Sequence, residues 1–245
     1  MSFTLAVHSS KGGTGKTSIA INLAGVYASQ GKNVCLLDYD FKAPSFTNFF
    51  NVNSKYWIND VLHDKCSIKD VVHDVSSDFG TSGYLYVGFT DPDVDSIREI
   101  SSKDRDWQAK ALRSLIRAKK ELVQSGIDVI ILDTSPGIDF ESINAVAASD
   151  YVAIVLKQNY TCIKSTEQVI DGIYKLLHKK CMIIENMCHS GYLYPQNMKK
   201  FDTPVIESIP CICDITAKTD KDLIVFSEPG HRFSKAMYKI SEKFV

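Results

Sequence analysis

Residues 9–18 read Ser-Ser-Lys-Gly-Gly-Thr-Gly-Lys-Thr-Ser and follow directly on the apolar run Phe3–Val7. Two lysines, three glycines and a threonine hydroxyl in this order are the parts of a phosphate-binding loop set between a strand and a helix. Gly12, Gly13 and Gly15 reach backbone angles closed to other residues. Successive N–H groups, Thr14 among them, can therefore turn inward around phosphate oxygens. The helix that opens at Lys16 adds the partial positive charge of its N-terminus, with Thr17 and Ser18 in its first turn. Lys16 is expected to reach the β- and γ-phosphates, and the Thr17 hydroxyl to hold Mg²⁺. Lys11 is additional. It stands at the mouth of the loop, where an ordinary phosphate loop needs no lysine. A glycine-rich surface turn, the plain alternative, has no use for Lys-Thr at its end.

Two acidic segments complete the chemistry. One apolar run ends Leu36-Leu37-Asp38-Tyr39-Asp40-Phe41-Lys42-Ala43-Pro44-Ser45. Carboxylates at i and i+2 of an extended chain point to the same side. Beside a phosphate loop, Asp38 and Asp40 can serve magnesium and an attacking water; otherwise they mark a surface turn. Another run ends Ile130-Ile131-Leu132-Asp133-Thr134-Ser135-Pro136-Gly137. A carboxylate at the end of an apolar strand suits Mg²⁺ held through water, which is the expectation for Asp133. Gly137 can offer its N–H to a γ-phosphate and move when that phosphate leaves.

These groups need a scaffold that delivers strand ends to one place. Apolar runs predict strands at Thr4–His8, Val34–Asp38, Tyr84–Phe89, Val129–Asp133, Val152–Leu156, Met182–Glu185 and Val205–Ile209. Several are apolar throughout, as central parallel strands are. Helices are expected at Lys16–Ser29, Ile58–His63, Asp106–Ser125, Glu141–Ala148, Ile163–His178 and Arg232–Phe244. Lys65–Gly83 gives no clear pattern. Strands alternating with helices predict an α/β fold, a mostly parallel twisted sheet of about seven strands with helices on both faces. Ligands bind beyond the carboxyl ends of such strands, and there the three motifs fall.

The 245 residues suffice for one domain spanning 1–245 with a large core. A net charge of −1 demands no nucleic acid as bulk partner. No apolar run approaches a membrane span, and a strand begins too early for a signal peptide. Seven cysteines at irregular spacing suit a reduced cytoplasm rather than a disulfide framework.

With these residues in view, the chain resembles the MinD/ParA group of deviant Walker A ATPases. The matching stretches are Lys11-Gly12-Gly13-Thr14-Gly15-Lys16-Thr17, Asp38-Tyr39-Asp40 with Pro44-Ser45, and Asp133-Thr134-Ser135-Pro136-Gly137. The resemblance implies ATP and Mg²⁺ as cofactors and a dimer that sandwiches ATP. In that dimer Lys11 acts on the partner's nucleotide and Asp40 positions the hydrolytic water. It also implies that Asn186 reads adenine and that Pro210 closes the base pocket. Two departures stand out. Ser10 replaces the first glycine of the general loop pattern, and Ser135 stands where the family often carries a second proline.

The group has several branches. Spatial regulators use the ATP dimer to grip a membrane or DNA and answer to an activating protein. They work in the cytoplasm or peripherally at membrane or nucleoid, and this is the expected class. Metallocentre-maturation ATPases are the alternative, for which Cys211 and Cys213 would supply half of a tetrahedral site completed across a dimer. Small buried cysteines at a strand end explain the pair as well. Electron-transfer iron proteins need mid-chain cysteines, and none lies between Cys66 and Cys162. Lys110, Arg113, Arg117 and Lys120 share one helical face suited to phosphate backbone, or simply to solvent. Phe233, Ala236, Met237, Ile240 and Phe244 form an apolar stripe flanked by lysines, suited to an anionic membrane or to the core. The histidines have no partner legible in sequence.

Overall fold

A computed structural model describes residues 2–50, 52–189, 201–212 and 223–244. Its strands are β1 (Phe3–His8), β2 (Val34–Tyr39), β3 (Val72–Asp74), β4 (Leu85–Gly88), β5 (Val129–Thr134), β6 (Tyr151–Lys157), β7 (Lys180–Cys188) and β8 (Val205–Pro210). They form one eight-stranded sheet in the order β3-β4-β2-β5-β1-β6-β7-β8. Every pairing is parallel except that of β3 with β4. The unexpected strand is β3, three residues at the sheet edge inside the stretch that showed no pattern.

The helices are α1 (Lys16–Ser29), α2 (Phe46–Phe49), α3 (Ile58–Leu62), α4 (Ser76–Phe79), α5 (Val94–Ser101), α6 (Arg105–Gln124), α7 (Phe140–Ala148) and α8 (Tyr160–Val169), followed by short Ile224–Ser227 and the C-terminal helix Arg232–Ser241. The expected helix Ile163–His178 is shorter as an α-helix: after Val169 it relaxes into a π-helical turn, Ile170–Tyr174.

Alternation along each strand fills both faces. Leu5, Val7, Leu36 and Ile131 pack on α1 and the C-terminal helix. Cys35, Leu37, Ile130 and Leu132 pack on α3, α6 and α7. Ala6, Ile154 and Leu156 meet α7 and α8. Helix α1 is buried over nearly its whole length because both sides are covered. A Cβ on Gly25 would stand 2.6 Å from Leu223 Cδ2, so glycine there lets segment 223–226 close over α1. The apolar stripe of the C-terminal helix, with Phe244, lies inside this packing, which removes it as a membrane face. On α6 the four basic residues are exposed, and Arg117 pairs with Asp64 of the neighbouring loop.

Candidate nucleotide site

Strand β1 lies between β5 and β6, and the loop that follows it emerges at the carboxyl edge of the sheet. There Asp38 of β2 sits opposite Asp133 of β5, and Val7 of β1 opposite Asp133 as well. The pairing therefore brings all three motifs to one edge.

The loop has the backbone its glycines predict. Gly13 and Gly15 take φ of 67° and 89°, and Gly15 caps α1 in the left-handed region. A Cβ at Gly15 would also meet Asn186 Nδ2 at 2.4 Å. Gly12 faces Pro136. Thr14 is buried, and its hydroxyl finds no partner among the described residues. Thr17, Ser18 and Asn22 of α1 line an open cleft of about 430 Å³, with Ser45, Asn48 and Phe49 across it.

The two lysines occupy opposite environments. Lys16 is 7% exposed; burial lowers its pKa, opposed by the nearby Asp133 and Asp40 carboxylates. Lys11 is exposed at the loop's mouth and forms no ion pair among the described residues. Asp133 is 1% exposed, and neither carboxylate oxygen has a well-formed hydrogen bond. Burial pushes its pKa up to about 7, with Thr17 and then Lys16 beside it holding the rise in check. A buried, unsatisfied carboxylate next to a threonine hydroxyl at a helix N-terminus is a donor set that fits hydrated Mg²⁺.

The two acids of the β2 segment separate. Asp38 Oδ1 accepts from Asp40 N at 3.2 Å, and Oδ2 from Ser45 N at 3.0 Å and Phe46 N at 3.1 Å. Its carboxylate thus folds the 40–46 loop back onto the strand. Burial, then the neighbouring Asp133, raises its pKa well above the usual carboxylate range. Asp40 is half-buried. Its Oδ1 accepts from Ser135 Oγ at 2.7 Å, Lys42 N at 3.2 Å and Ala43 N at 3.1 Å. Gly137 takes φ of 96° and gives its N–H to Ser9 O at 2.9 Å, so reaching a phosphate there means exchanging that bond.

Asn186 does something the sequence did not suggest. A bulge interrupts the β7–β8 register between Glu185 and Cys188, with Met187 at φ 55°. Asn186 Nδ2 donates to Thr14 O at 2.8 Å, bracing the phosphate loop. Pro210 ends β8, exposed, paired with Cys188. Cys211 is exposed, its N–H bonded to Cys188 O at 2.8 Å. Cys213 lies outside the described residues. Among those described, no group of three or more His, Cys, Asp or Glu could hold a metal ion.

Contacts to α8 were also missed. Ser10 Oγ meets Thr166 Oγ1 at 2.9 Å, and His8 Nδ1 bonds the Tyr174 hydroxyl in the π-helical turn. Burial, then Lys16, depresses the pKa of His8 to about 3. The residue types at 8 and 10 were visible, but their partners lie more than 150 positions away.

This edge, with a phosphate loop and two acidic strand ends, defines a P-loop nucleotide-binding protein. The AAA domain family profile matches residues 2–186, and the chain belongs to the MinD/ParA group of these ATPases. It is 30% identical over 171 residues to an uncharacterized ATP-binding protein of Methanocaldococcus jannaschii, covering 69% of this chain and 58% of that one. It is 27% identical over 191 residues to the antiactivator FleN of Pseudomonas aeruginosa, covering 76% and 62%. The matches thus span about three fifths of these relatives' length. In fold it is similar to the septum site-determining protein MinD of Pyrococcus horikoshii, complexed with Mg-ADP. The TM-score is 0.79 at 21% identity, covering 99% of this chain and 96% of that one. A Borrelia burgdorferi plasmid partition protein bound to AMPPNP gives 0.76 at 20% identity, covering 100% and 98%. No helix among the described residues is long and apolar enough to cross a membrane.

Proposed function

We propose that this chain hydrolyses ATP to ADP and phosphate with Mg²⁺, and switches between a monomer and an ATP-bound homodimer. Its output is spatial organisation of a chromosome, plasmid, division site or cell-surface machine, through an activating protein partner. The observation that carries the reading is the contrast between buried Lys16 and, five residues earlier, exposed Lys11, which forms no ion pair among the described residues. One cation already serves the bound triphosphate; the other is placed to meet a phosphate presented from outside the subunit.

In this reading Lys16 and the backbone N–H groups of residues 12–17 bind the phosphates. Thr17 and Asp133 would hold Mg²⁺, which when bound would offset the negative charge of the phosphates. Asp40 keeps one carboxylate oxygen without a hydrogen bond among the described residues and orients the attacking water. Two-fold symmetry places Lys11 of each subunit on the other's triphosphate, adding positive charge where negative charge develops. Relatives named for septum placement, chromosome partitioning and inhibition of sporulation support the spatial role. A solved complex of MinC with MinD from Aquifex aeolicus, similar in fold, supports a protein partner.

Asp40→Ala tests the assignment. The variant binds ATP, loses hydrolysis and accumulates as a dimer, read by light scattering with Mg-ATP. Hydrolysis at the parent rate would reduce Asp40 to a structural part.

A further inference from the structure

We propose that the Ser135 hydroxyl is a positioning group for Asp40, fixing the carboxylate that orients the water. This rests on the role given to Asp40 above. Three donors converge on Asp40 Oδ1, and their origins differ. Lys42 N and Ala43 N belong to the turn that Asp40 itself opens, so they move with it. Ser135 Oγ, at 2.7 Å, is the donor that comes from another element, the loop after β5. It therefore ties the carboxylate to the rigid sheet rather than to its own loop.

The donor is itself held in place. Ser135 is 1% exposed, and its carbonyl accepts from Ser142 Oγ of α7 at 2.9 Å. The preceding Thr134 hydroxyl bonds Val7 O of β1 at 3.0 Å. With three donors on Oδ1, the carboxylate is held in one orientation and Oδ2 carries no hydrogen bond among the described residues. A hydrogen bond to an ionised carboxylate from a buried hydroxyl is of the strong, orienting kind. The same two loops meet again at Lys42–Asp139, 2.5 Å apart, but both side chains are nearly half exposed, and an exposed pair does little to fix geometry. A proline at 135 would carry no hydroxyl, so this tie belongs to chains with serine or threonine there.

Position also links the hydroxyl to the nucleotide. Two residues on, Gly137 N–H is the group suited to a γ-phosphate. Ser135 thus lies on the same short segment as that N–H, and its hydroxyl holds the Asp40 carboxylate by its Oδ1.

The test compares Ser135→Ala, Ser135→Thr, Asp40→Ala and the Ser135→Ala/Asp40→Ala double variant. Single-turnover and steady-state hydrolysis are measured, with ATP affinity by calorimetry. Loss of one charge-assisted hydrogen bond lowers the Ser135→Ala hydrolysis rate roughly ten- to hundredfold, while ATP affinity and KM stay within about twofold. Ser135→Thr, which keeps the hydroxyl, recovers most of the rate. In the Asp40→Ala background, where single-turnover measurement reads the small residual rate, Ser135→Ala has no further effect. A loss confined to ATP affinity, or a Ser135→Ala rate equal to the parent's, overturns the proposal. So does the same fractional loss with Asp40 already removed. Parent-level hydrolysis in Asp40→Ala alone overturns the Asp40 assignment instead, and the proposal that rests on it.

Discussion

Lys16 and Asp133 are both buried at the phosphate loop, and the charge of each eases the other's burial. Neither is a comfortable resident without a ligand, because buried charges demand partners. Lys16→Ala removes a charge-assisted contact to the triphosphate worth on the order of 2–4 kcal/mol, or roughly 30- to 1000-fold in Kd. Calorimetry with Mg-ATP reads this; unchanged affinity would overturn the loop's assignment. Asp133 gives a pH prediction. Its pKa in the folded chain is about 7, above the ordinary carboxylate value. Between that ordinary value and about 7 the folded chain holds a proton that the unfolded chain has released, so stability falls as pH rises through the window. Above about 7 the whole cost is present, on the order of a few kcal/mol. In EDTA and without nucleotide, Asp133→Asn should therefore melt progressively higher than the parent as pH goes from about 5 to about 8. His8, kept neutral by burial, acts in the opposite sense as pH falls below the ordinary imidazole value, but it is common to both proteins and cancels in the comparison. A Tm difference that does not change with pH would contradict the buried, unpaired state of Asp133. The sequence marked the acids at the strand ends but could not divide their labour. Asp38 and Asp40 are equivalent by spacing, and what separates them is a loop that returns Ser45 and Phe46 N–H to Asp38 and leaves Asp40 to Ser135.

Elements rather than single residues decide the position of the loop. Strand β7 carries a bulge at Met187, and the bulge delivers Asn186 to Thr14 O. The family resemblance implies that Asn186 reads adenine; in this structure its amide donates to Thr14 O of the phosphate loop. Asn186→Ala therefore lowers affinity for ATP and for inorganic tripolyphosphate by similar factors, several-fold, as loss of a buried hydrogen bond implies. Calorimetry with both ligands separates the cases, since loss for ATP alone would point to base reading rather than to a brace. Central strands and α1 were legible because they are long, apolar and bounded by turn residues. Strand β3 was not: three half-exposed edge residues, Val72–Asp74, leave no alternation to read. The end of α8 was misread because the amphipathic pattern continues through the π-helical turn, where the hydrogen-bond ladder shifts without a change in residue character. The apolar stripe at 233–244 was seen correctly as a stripe, but its partner, α1, is set by tertiary packing alone.

The molecule as a whole is one sheet with its chemistry gathered on one edge and a cation standing out from that edge. Its C-terminal helix is packed inside, and its basic α6 face is left open to solvent. In the reading proposed above, a second subunit is recognised at the phosphate loop itself, and assembly and hydrolysis are one event. The fold class and the phosphate loop were readable from glycine spacing and strand ends. In the proposed reading dimerisation rests on Lys11, which the loop sequence already set apart and whose exposure contrasts with the burial of Lys16. Lys11→Ala should bind ATP nearly as the parent does, fail to dimerise and lose hydrolysis. The most direct measurement mixes Lys11→Ala with Asp40→Ala, both separately inactive, and follows phosphate release with Mg-ATP. If Lys11 acts across the dimer, one composite site of each mixed dimer has lost both groups, while the other keeps Lys11 and Asp40 together. Activity then returns in part on mixing. No recovery, with mixed dimers demonstrated in the same sample, would contradict a lysine that works on its partner's nucleotide.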